Sequence, residues 1–558
     1  MKTKALINFF LRLIILVGML GWSQTAQAAP QACTPTTVHT GWITSDETWC
    51  LSTGSVHTVS DYVAVQAGVT VTIEPGITVK ADNRFYVDGD LQAVGNAAQP
   101  IIFTSEFDSA PDEWYGLEFR GGTGHLNYAT VRYSTEYAIL VNNVQSGELL
   151  IENGQILDSG YHGVFINNSH VTITGTTFSG TGVHNYGYPV YISDPGSLVT
   201  LSNNTFSSNY LNRVYLTFNA MNGQNITLAP QNGLEGYMVD YWVIPSGITL
   251  TVEPGVKLMA NSRLFVDGDL QAIGTVAQPV IFTSIPDSGP GQWWGLLFRG
   301  GTGHLSHTIV RYGSDNNIYA QNIQTGELLI EDSQVIDGGA VGGQRDDGIY
   351  IYNSNVILRR TELRNLSTFG YAVAVEGELS QVTLEECRVL HSYGGLYVNT
   401  ADQVTLRNVA FSDLQSYGLV VRSNGTLTGE HVTLSHIAAD ALQVYELNST
   451  ATLTNSIITL NGIGAHTDEY GSIALDTVLV AQNDASTSGQ VTQTNPISGA
   501  SGLMADGYHL TRYSAAIGQA NSTVLLDIDG DARPLPAGTQ ADLGADEYVY
   551  NPLEVFDA

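Results

Sequence analysis

Apolar residues recur in pairs separated by a single position: Ile349/Ile351, Val373/Val375, Leu396/Val398, Leu419/Val421 and Leu442/Val444. Alternation over so few residues marks a strand with one buried face. These strands begin at Gly348, Ala372, Gly395, Gly418, Ala441 and Gly464, 24 residues apart at the first step and 23 at each later one. A second alternating strand follows in each unit, as in Val356-Ile357-Leu358 and Val404-Thr405-Leu406. A third is visible in Val409-Ala410-Phe411 and Val432-Thr433-Leu434. Three short strands per unit, joined by Gly, Asn, Ser and Asp, fit neither a helical repeat nor a hairpin meander. They predict an all-β solenoid, a single-stranded parallel β-helix whose coils bury their apolar faces only by stacking. Over residues 60–490 this spacing gives roughly 18 rungs and a rod of roughly 90 Å. Propeller blades of about 40 residues do not match the period.

A larger repeat lies over this one. Ile73-Glu74-Pro75-Gly76 and Phe85-Tyr86-Val87-Asp88-Gly89-Asp90-Leu91 return as Val252-Glu253-Pro254-Gly255 and Leu264-Phe265-Val266-Asp267-Gly268-Asp269-Leu270, with no gap at an offset of 179. Trp114-Tyr115-Gly116 matches Trp293-Trp294-Gly295, and Phe119-Arg120-Gly121-Gly122 matches Phe298-Arg299-Gly300-Gly301. A module spanning 73–158 is thus copied at 252–337.

The Glu-Pro-Gly-Val, Phe-Val-Asp-Gly-Asp-Leu, Gln-Pro-Val-Ile-Phe-Thr-Ser and Trp-Trp-Gly run of residues 253–295 resembles a module of secreted bacterial right-handed β-helix proteins with the pectate-lyase-like superfold. The block Gly348-Ile349-Tyr350-Ile351-Tyr352-Asn353 is similar to the generic repeat of that fold. The resemblance implies a right-handed coil; it specifies the fold and not the activity. After about residue 490 the 23-residue beat stops. Asp527-Ile528-Asp529-Gly530-Asp531-Ala532-Arg533-Pro534 and Asp542-Leu543-Gly544-Ala545-Asp546-Glu547-Tyr548 resemble the choice-of-anchor segment of bacterial surface β-helices. Residues 491–558 are therefore expected to be an anchor-like segment.

Residues 1–28 have the layout of a secretory signal peptide. Lys2, Lys4 and Arg12 lead into an apolar run from Leu13 to Leu20, and Ala26-Gln27-Ala28 offers small residues for cleavage. The run is too short to span a membrane. A secreted or cell-surface location follows as the expectation, with residues 29–59 as an N-terminal cap. In an oxidising compartment Cys33 and Cys50 are placed to form a disulfide, and Cys387 reads as a buried thiol.

Composition narrows the partners. The chain holds 53 acidic and 21 basic residues, a net charge of −32. Nucleic acid is excluded, since binding it needs basic patches that release counterions. Anionic membranes and polyanionic glycans are repelled as well, unless a divalent cation bridges the latter.

Candidate chemistry lies on the strand positions between the inward pairs. One such column reads Tyr86, Leu140, Phe165, Tyr191, Tyr215, Phe265, Tyr319, Tyr350, Ala374, Tyr397, Val420 and Gln443. Its neighbour includes Asp88, Arg120, Asn142, Asp267, Arg299, Tyr352, Glu376, Asn399, Arg422 and Tyr445. If they share one exposed sheet, rings that stack on sugar C–H faces stand beside groups that bond hydroxyls. Tyr319, Tyr350, Tyr352, Tyr397, Asn399, Glu376 and Arg422 are the candidate glycan ligands. Like side chains stacked rung upon rung would equally stabilise the solenoid itself.

Asp346 and Asp347 follow an insertion, Gly342-Gly343-Gln344-Arg345, and are the candidate catalytic pair: carboxylates on a loop above a glycan groove can serve as general acid and base. Polygalacturonase-like β-helices carry such a pair, but their Asn-Thr-Asp, Gly-His-Gly and Arg-x-Lys companions are not in place here. The Arg-x-Pro-x-x-Arg of pectate lyases is missing too. Asp527, Asp529 and Asp531 alternate around Gly530, a spacing that can wrap oxygens about Ca²⁺ and so fold the tail. Three functions stay open: a non-catalytic binder of a polysaccharide or cell-surface glycan, a polysaccharide lyase or glycoside hydrolase, and a structural adhesin rod.

Overall fold

The computed structural model describes residues 32–193, 197–217, 223–339, 346–400 and 403–549. The leader at 1–28 and the Gly342-Gly343-Gln344-Arg345 insertion lie outside them. Short strands run from Val38–Ile43 to Val491–Thr494, with no α-helix among the described residues. Each strand pairs in parallel with its counterpart one coil away. Leu305, Ile330, Leu358, Leu384 and Leu406 form one such register column, every member at most 1 % exposed. Burying each of these side chains contributes about 1.5–3 kcal/mol, and the column repeats along every face. The result is a right-handed parallel β-solenoid of about 18 turns.

The first coil starts inside the expected cap, since Trp42 already pairs with Ala64 and Trp49 with Ile73. Trp49, fully buried, stacks on the hydrogen-bonded pair His39 and His57, at 3.8 and 5.5 Å, and closes that end of the core. A Cys33–Cys50 disulfide ties down the strand below it. Burial lowers the His39 pKa to about 4, helped by the neighbouring His57, so the ring is neutral in the folded cap.

The two modules are built alike. Trp114 and Trp293 each donate Nε1–H to a backbone carbonyl, Arg132 O and Arg311 O, at 2.7 Å. Arg120 pairs with Asp88 and Arg299 with Asp267, both at 2.7 Å, while Arg132 and Arg311 hold Asp108 and Asp287. Gly89 and Gly268 sit where a Cβ would come within 2.2 Å of a carbonyl oxygen of the coil before, so the duplicated Asp-Gly-Asp is a tight turn between strands.

The modules are not stacked in the same orientation. In the first half the ladder through Phe85–Val87, Leu117–Arg120, His162–Asn167, Val190–Ile192 and Arg213–Leu216 carries the aromatic column. It continues into Gly236–Val239, Lys257–Ala260 and Val280–Ser284. By the 179-residue offset, Lys257–Ala260 corresponds to Thr78–Ala81, a different face of the first module. The second copy of the column starts a new ladder at Trp242–Ile244 and Leu264–Val266. The second module is thus turned by one face, and the expected single column is two: Tyr86 to Tyr215 on one ladder, Phe265 to Gln443 on another.

At the step between modules, Leu198–Ser202 ends a seven-stranded ladder and Ile226–Leu228 starts another. Their residues line an apolar cleft of about 440 Å³ together with Tyr237 and Trp242, and the Trp242 Nε1–H meets no acceptor among the described residues.

The C-terminal segment does not extend the rod. From about residue 495 it folds back along the ladder of Arg388–Leu390, Gln403–Leu414, Thr426–Ile437 and Ile457–Thr459. Ala545 N donates to Thr433 Oγ1, Asn408 Nδ2 to Leu526 O, and Gly544 N to Asn455 O, at 2.7 to 2.9 Å.

Candidate functional site

The second aromatic column lies on the eleven-stranded ladder that runs from Trp242–Ile244 to Ala485–Ser488. Its registers align the proposed ligands as written: Tyr319 opposite Tyr350, then Ala374, Tyr397, Val420 and Gln443. The companion row runs Gln321, Tyr352, Glu376, Asn399, Arg422 and Tyr445. All seven candidate ligand residues therefore share one face, on consecutive coils about 4.8 Å apart.

They are less exposed than the alternation alone predicts. Tyr350 is only 5 % exposed, packed 4.9 Å from Tyr319, and donates its hydroxyl to Glu376 Oε2 at 2.9 Å. Tyr350 is thus corrected from a surface ring to a support that orients Glu376. Tyr397 is half-buried and stacks on Tyr371 at 5.1 Å and 25°. Burial pushes both hydroxyls above the usual phenol range, so they remain protonated donors. Tyr352 stands out at 39 % exposure. Arg422 lies 5.0 Å from the Tyr445 ring and bonds Glu446, whose carboxyl is held below its usual range chiefly by the Ser423 hydroxyl and by Arg422. The face offers flat rings, a carboxylate, an amide and a guanidinium in two adjacent rows.

Asp346 and Asp347 do not stand over this row. They are 3 % and 7 % exposed. Asp347 Oδ1 accepts the Tyr371 N–H at 2.8 Å, and Asp346 Oδ2 accepts the Thr368 hydroxyl at 2.8 Å and its N–H at 3.2 Å. The expected catalytic pair is a capping pair that fixes the turn leading into Tyr371. Insertion and turn carboxylates look alike in a sequence, and burial separates them.

The three aspartates of the tail do not form a cage either. Asp527 is fully buried, its Oδ1 accepting the N–H groups of Asp529 and Asp531 and its Oδ2 that of Glu547. Asp529 turns away to Arg388 and His509, at 2.5 and 2.9 Å, and Asp531 is exposed. The alternating spacing belongs to an aspartate-capped turn.

An aromatic wall in the first half went unread. Tyr137, His162 and Tyr188 pack beside Phe165, Tyr191 and Tyr215, with His162 stacked 5.9 Å from Tyr188 and Tyr191 4.8 Å from Tyr215. The signal was available: each newcomer stands three positions before a column residue, as Tyr371 does before Ala374. On the same ladder Trp42, Tyr62, Tyr86 and Arg120 line a shallow cradle of about 270 Å³.

Comparison with known proteins agrees with this architecture. No curated protein matches the chain. Weak similarity is found to the tailspike protein of E. coli bacteriophage HK620 in complex with pentasaccharide, 11 % identical over 82 % of this chain and 73 % of its own, with a TM-score of 0.13. A double mutant of that tailspike is 11 % identical over 78 % of this chain and 74 % of its own, with a TM-score of 0.16. A second mutant is 12 % identical over 82 % and 72 %, with a TM-score of 0.14. Values this low relate no site in one protein to a site in the other. Family models are more specific: the pectate-lyase like beta helix domain matches residues 41–142, and the right handed beta helix region matches 115–237, 295–458 and 394–496. With more than half of its length so matched, the chain belongs to the right-handed β-helix family.

Proposed function

We propose that this protein is a secreted or surface-associated glycan binder that holds an extended saccharide along the Tyr319 to Tyr445 face without cleaving it. The observation that carries the reading is the register of that face. Rings and hydrogen-bonding side chains recur on the same two rows over consecutive coils, a spacing close to the repeat of a stretched sugar chain. The secreted location rests on the leader-like residues 1–28 and on the tail's resemblance to surface-protein segments. The net charge of −32 favours a neutral or cationic glycan. Asp346 and Asp347 cap the turn that leads into Tyr371, which supports binding over hydrolysis at this face.

Titration with neutral oligosaccharides by calorimetry tests this. Tyr397→Ala and Tyr352→Ala should each weaken binding about tenfold, an effect on the order of 1.4 kcal/mol, while leaving the unfolding midpoint of the rod nearly unchanged. Unaltered affinity in the double variant, or release of new reducing ends by the wild-type protein, would reject the proposal.

A further inference from the structure

Three loops of the C-terminal segment meet at one point that the glycan face does not involve. From them come His509, Asp529 and Asp546, each with one ligand-type atom within 4.8 Å of the other two. His509 Nε2 lies 2.9 Å from Asp529 Oδ2, and its Nδ1 faces Asp506, within hydrogen-bond reach at 2.5 Å. Asp546 is only 6 % exposed, and its one hydrogen bond among the described residues is from the Leu510 N–H to Oδ2 at 2.6 Å, which leaves Oδ1 open to a further ligand. A largely buried carboxylate with a second acidic group and an imidazole beside it is stabilised by a cation that can reach it.

We propose that His509, Asp529 and Asp546 bind a divalent transition-metal ion that locks the tail together. The imidazole Nε2 and one oxygen from each carboxylate supply three ligands, and Asp529 and His509 keep enough exposure to leave a water position and an entry path. Asp506 then plays the supporting part commonly taken by a carboxylate on the far nitrogen of a metal-bound histidine: it accepts Nδ1–H and fixes Nε2 as the ligand. A nitrogen with two carboxylates suits Zn²⁺ or Mn²⁺, whereas Ca²⁺ prefers six or more oxygens. The ion would join the 506–510, 527–531 and 544–547 loops, and through the Arg388 contact to Asp529 it would brace the tail against the rod.

The test is titration of the chelator-stripped full chain with Zn²⁺, and with Mn²⁺ and Ca²⁺ in parallel, followed by calorimetry and thermal unfolding. One Zn²⁺ per chain is expected, with Ca²⁺ much weaker and the unfolding temperature rising with free Zn²⁺. His509→Gln and the near-isosteric Asp546→Asn should each weaken Zn²⁺ binding by more than tenfold, Asp506→Asn by about tenfold, and the exposed Asp531→Asn not at all. Absence of saturable one-to-one binding in the wild-type chain overturns the proposal. So does tight Ca²⁺ binding without Zn²⁺, or an Asp546→Asn protein, folded by circular dichroism, that binds Zn²⁺ as before. Glycan affinity is not expected to change in these variants, so the two proposals fail independently.

Discussion

Asp347 accepts the Tyr371 N–H at 2.8 Å, and Tyr371 in turn stacks on Tyr397, so this carboxylate reaches the candidate face through the backbone that it caps. Asp347→Ala should therefore destabilise the fold by about 1–3 kcal/mol, the cost of leaving a buried donor unmet, read as a lower urea midpoint. Asp347→Asn keeps an acceptor and should lose less. A variant with unchanged midpoint would show that the cap is dispensable. Cys387 gives a second test at this scale. The side chain is fully buried, its Sγ 3.2 Å from Glu385 O, and burial pushes the thiol up to about 12. Because the thiolate is the reactive form, a thiol reagent at pH 8 should find no target in the native chain and one after denaturation. Rapid labelling of the native protein would contradict this burial.

Strands are where the sequence spoke most clearly, because a period of two within a unit of 23 residues has few other solutions. The inward pairs from Ile349/Ile351 to Leu442/Val444 are all fully buried, and the rows between them pair as the spacing required. Exposure was less legible: whether Tyr350 faces water depends on Tyr319 and Glu376 one coil to either side, and alternation carries no information about neighbouring coils. The first-half wall shows the same limit, since His162 looks like an isolated histidine until Tyr137, Tyr188 and Tyr191 close around it. Burial there lowers its pKa to about 4, against 6.5 when unfolded, and its Nδ1 accepts the Tyr188 N–H at 3.0 Å. A depressed folded-state pKa means the stabilisation is whole above pH 6.5 and is lost as pH falls through 4, by up to about 3 kcal/mol. His162→Asn, which keeps an acceptor but does not titrate in this range, should flatten the stability profile between pH 6.5 and 4. His39 and His431 titrate with the same sign, to about 4 and about 3, so only the difference between variant and wild type reports on His162.

At the scale of the whole molecule, stability in a solenoid is a sum over neighbouring coils, so a broken ladder is felt where it occurs. The one-face turn between the modules could not be read from an uninterrupted 179-residue repeat, because two copies look identical in sequence whatever their relative orientation. Its consequences are local. Inward residues of the coils before the turn are sealed, Val171 at 1 % and Ile173 at 0 %, whereas their register partners Val199 and Leu201 are only partly buried. The Leu198–Ser202 strand has a ladder partner on one side and the 440 Å³ cleft on the other. By contrast Leu328–Glu331 and Asn355–Arg359 are paired on both edges over a closed core. Regions with few buried contacts and unpaired backbone open first. Hydrogen exchange should therefore proceed faster at residues 198–202 and 226–228 than at 328–331 and 355–359, with the difference persisting under mild denaturant. Thermal unfolding should also resolve into two steps, one for each side of the turn. A larger apolar side chain in the cleft, such as Val199→Leu, should slow exchange on both flanking strands. Uniform protection across residues 171–252 would mean that the two modules are coupled as tightly through the turned junction as coils are within a module.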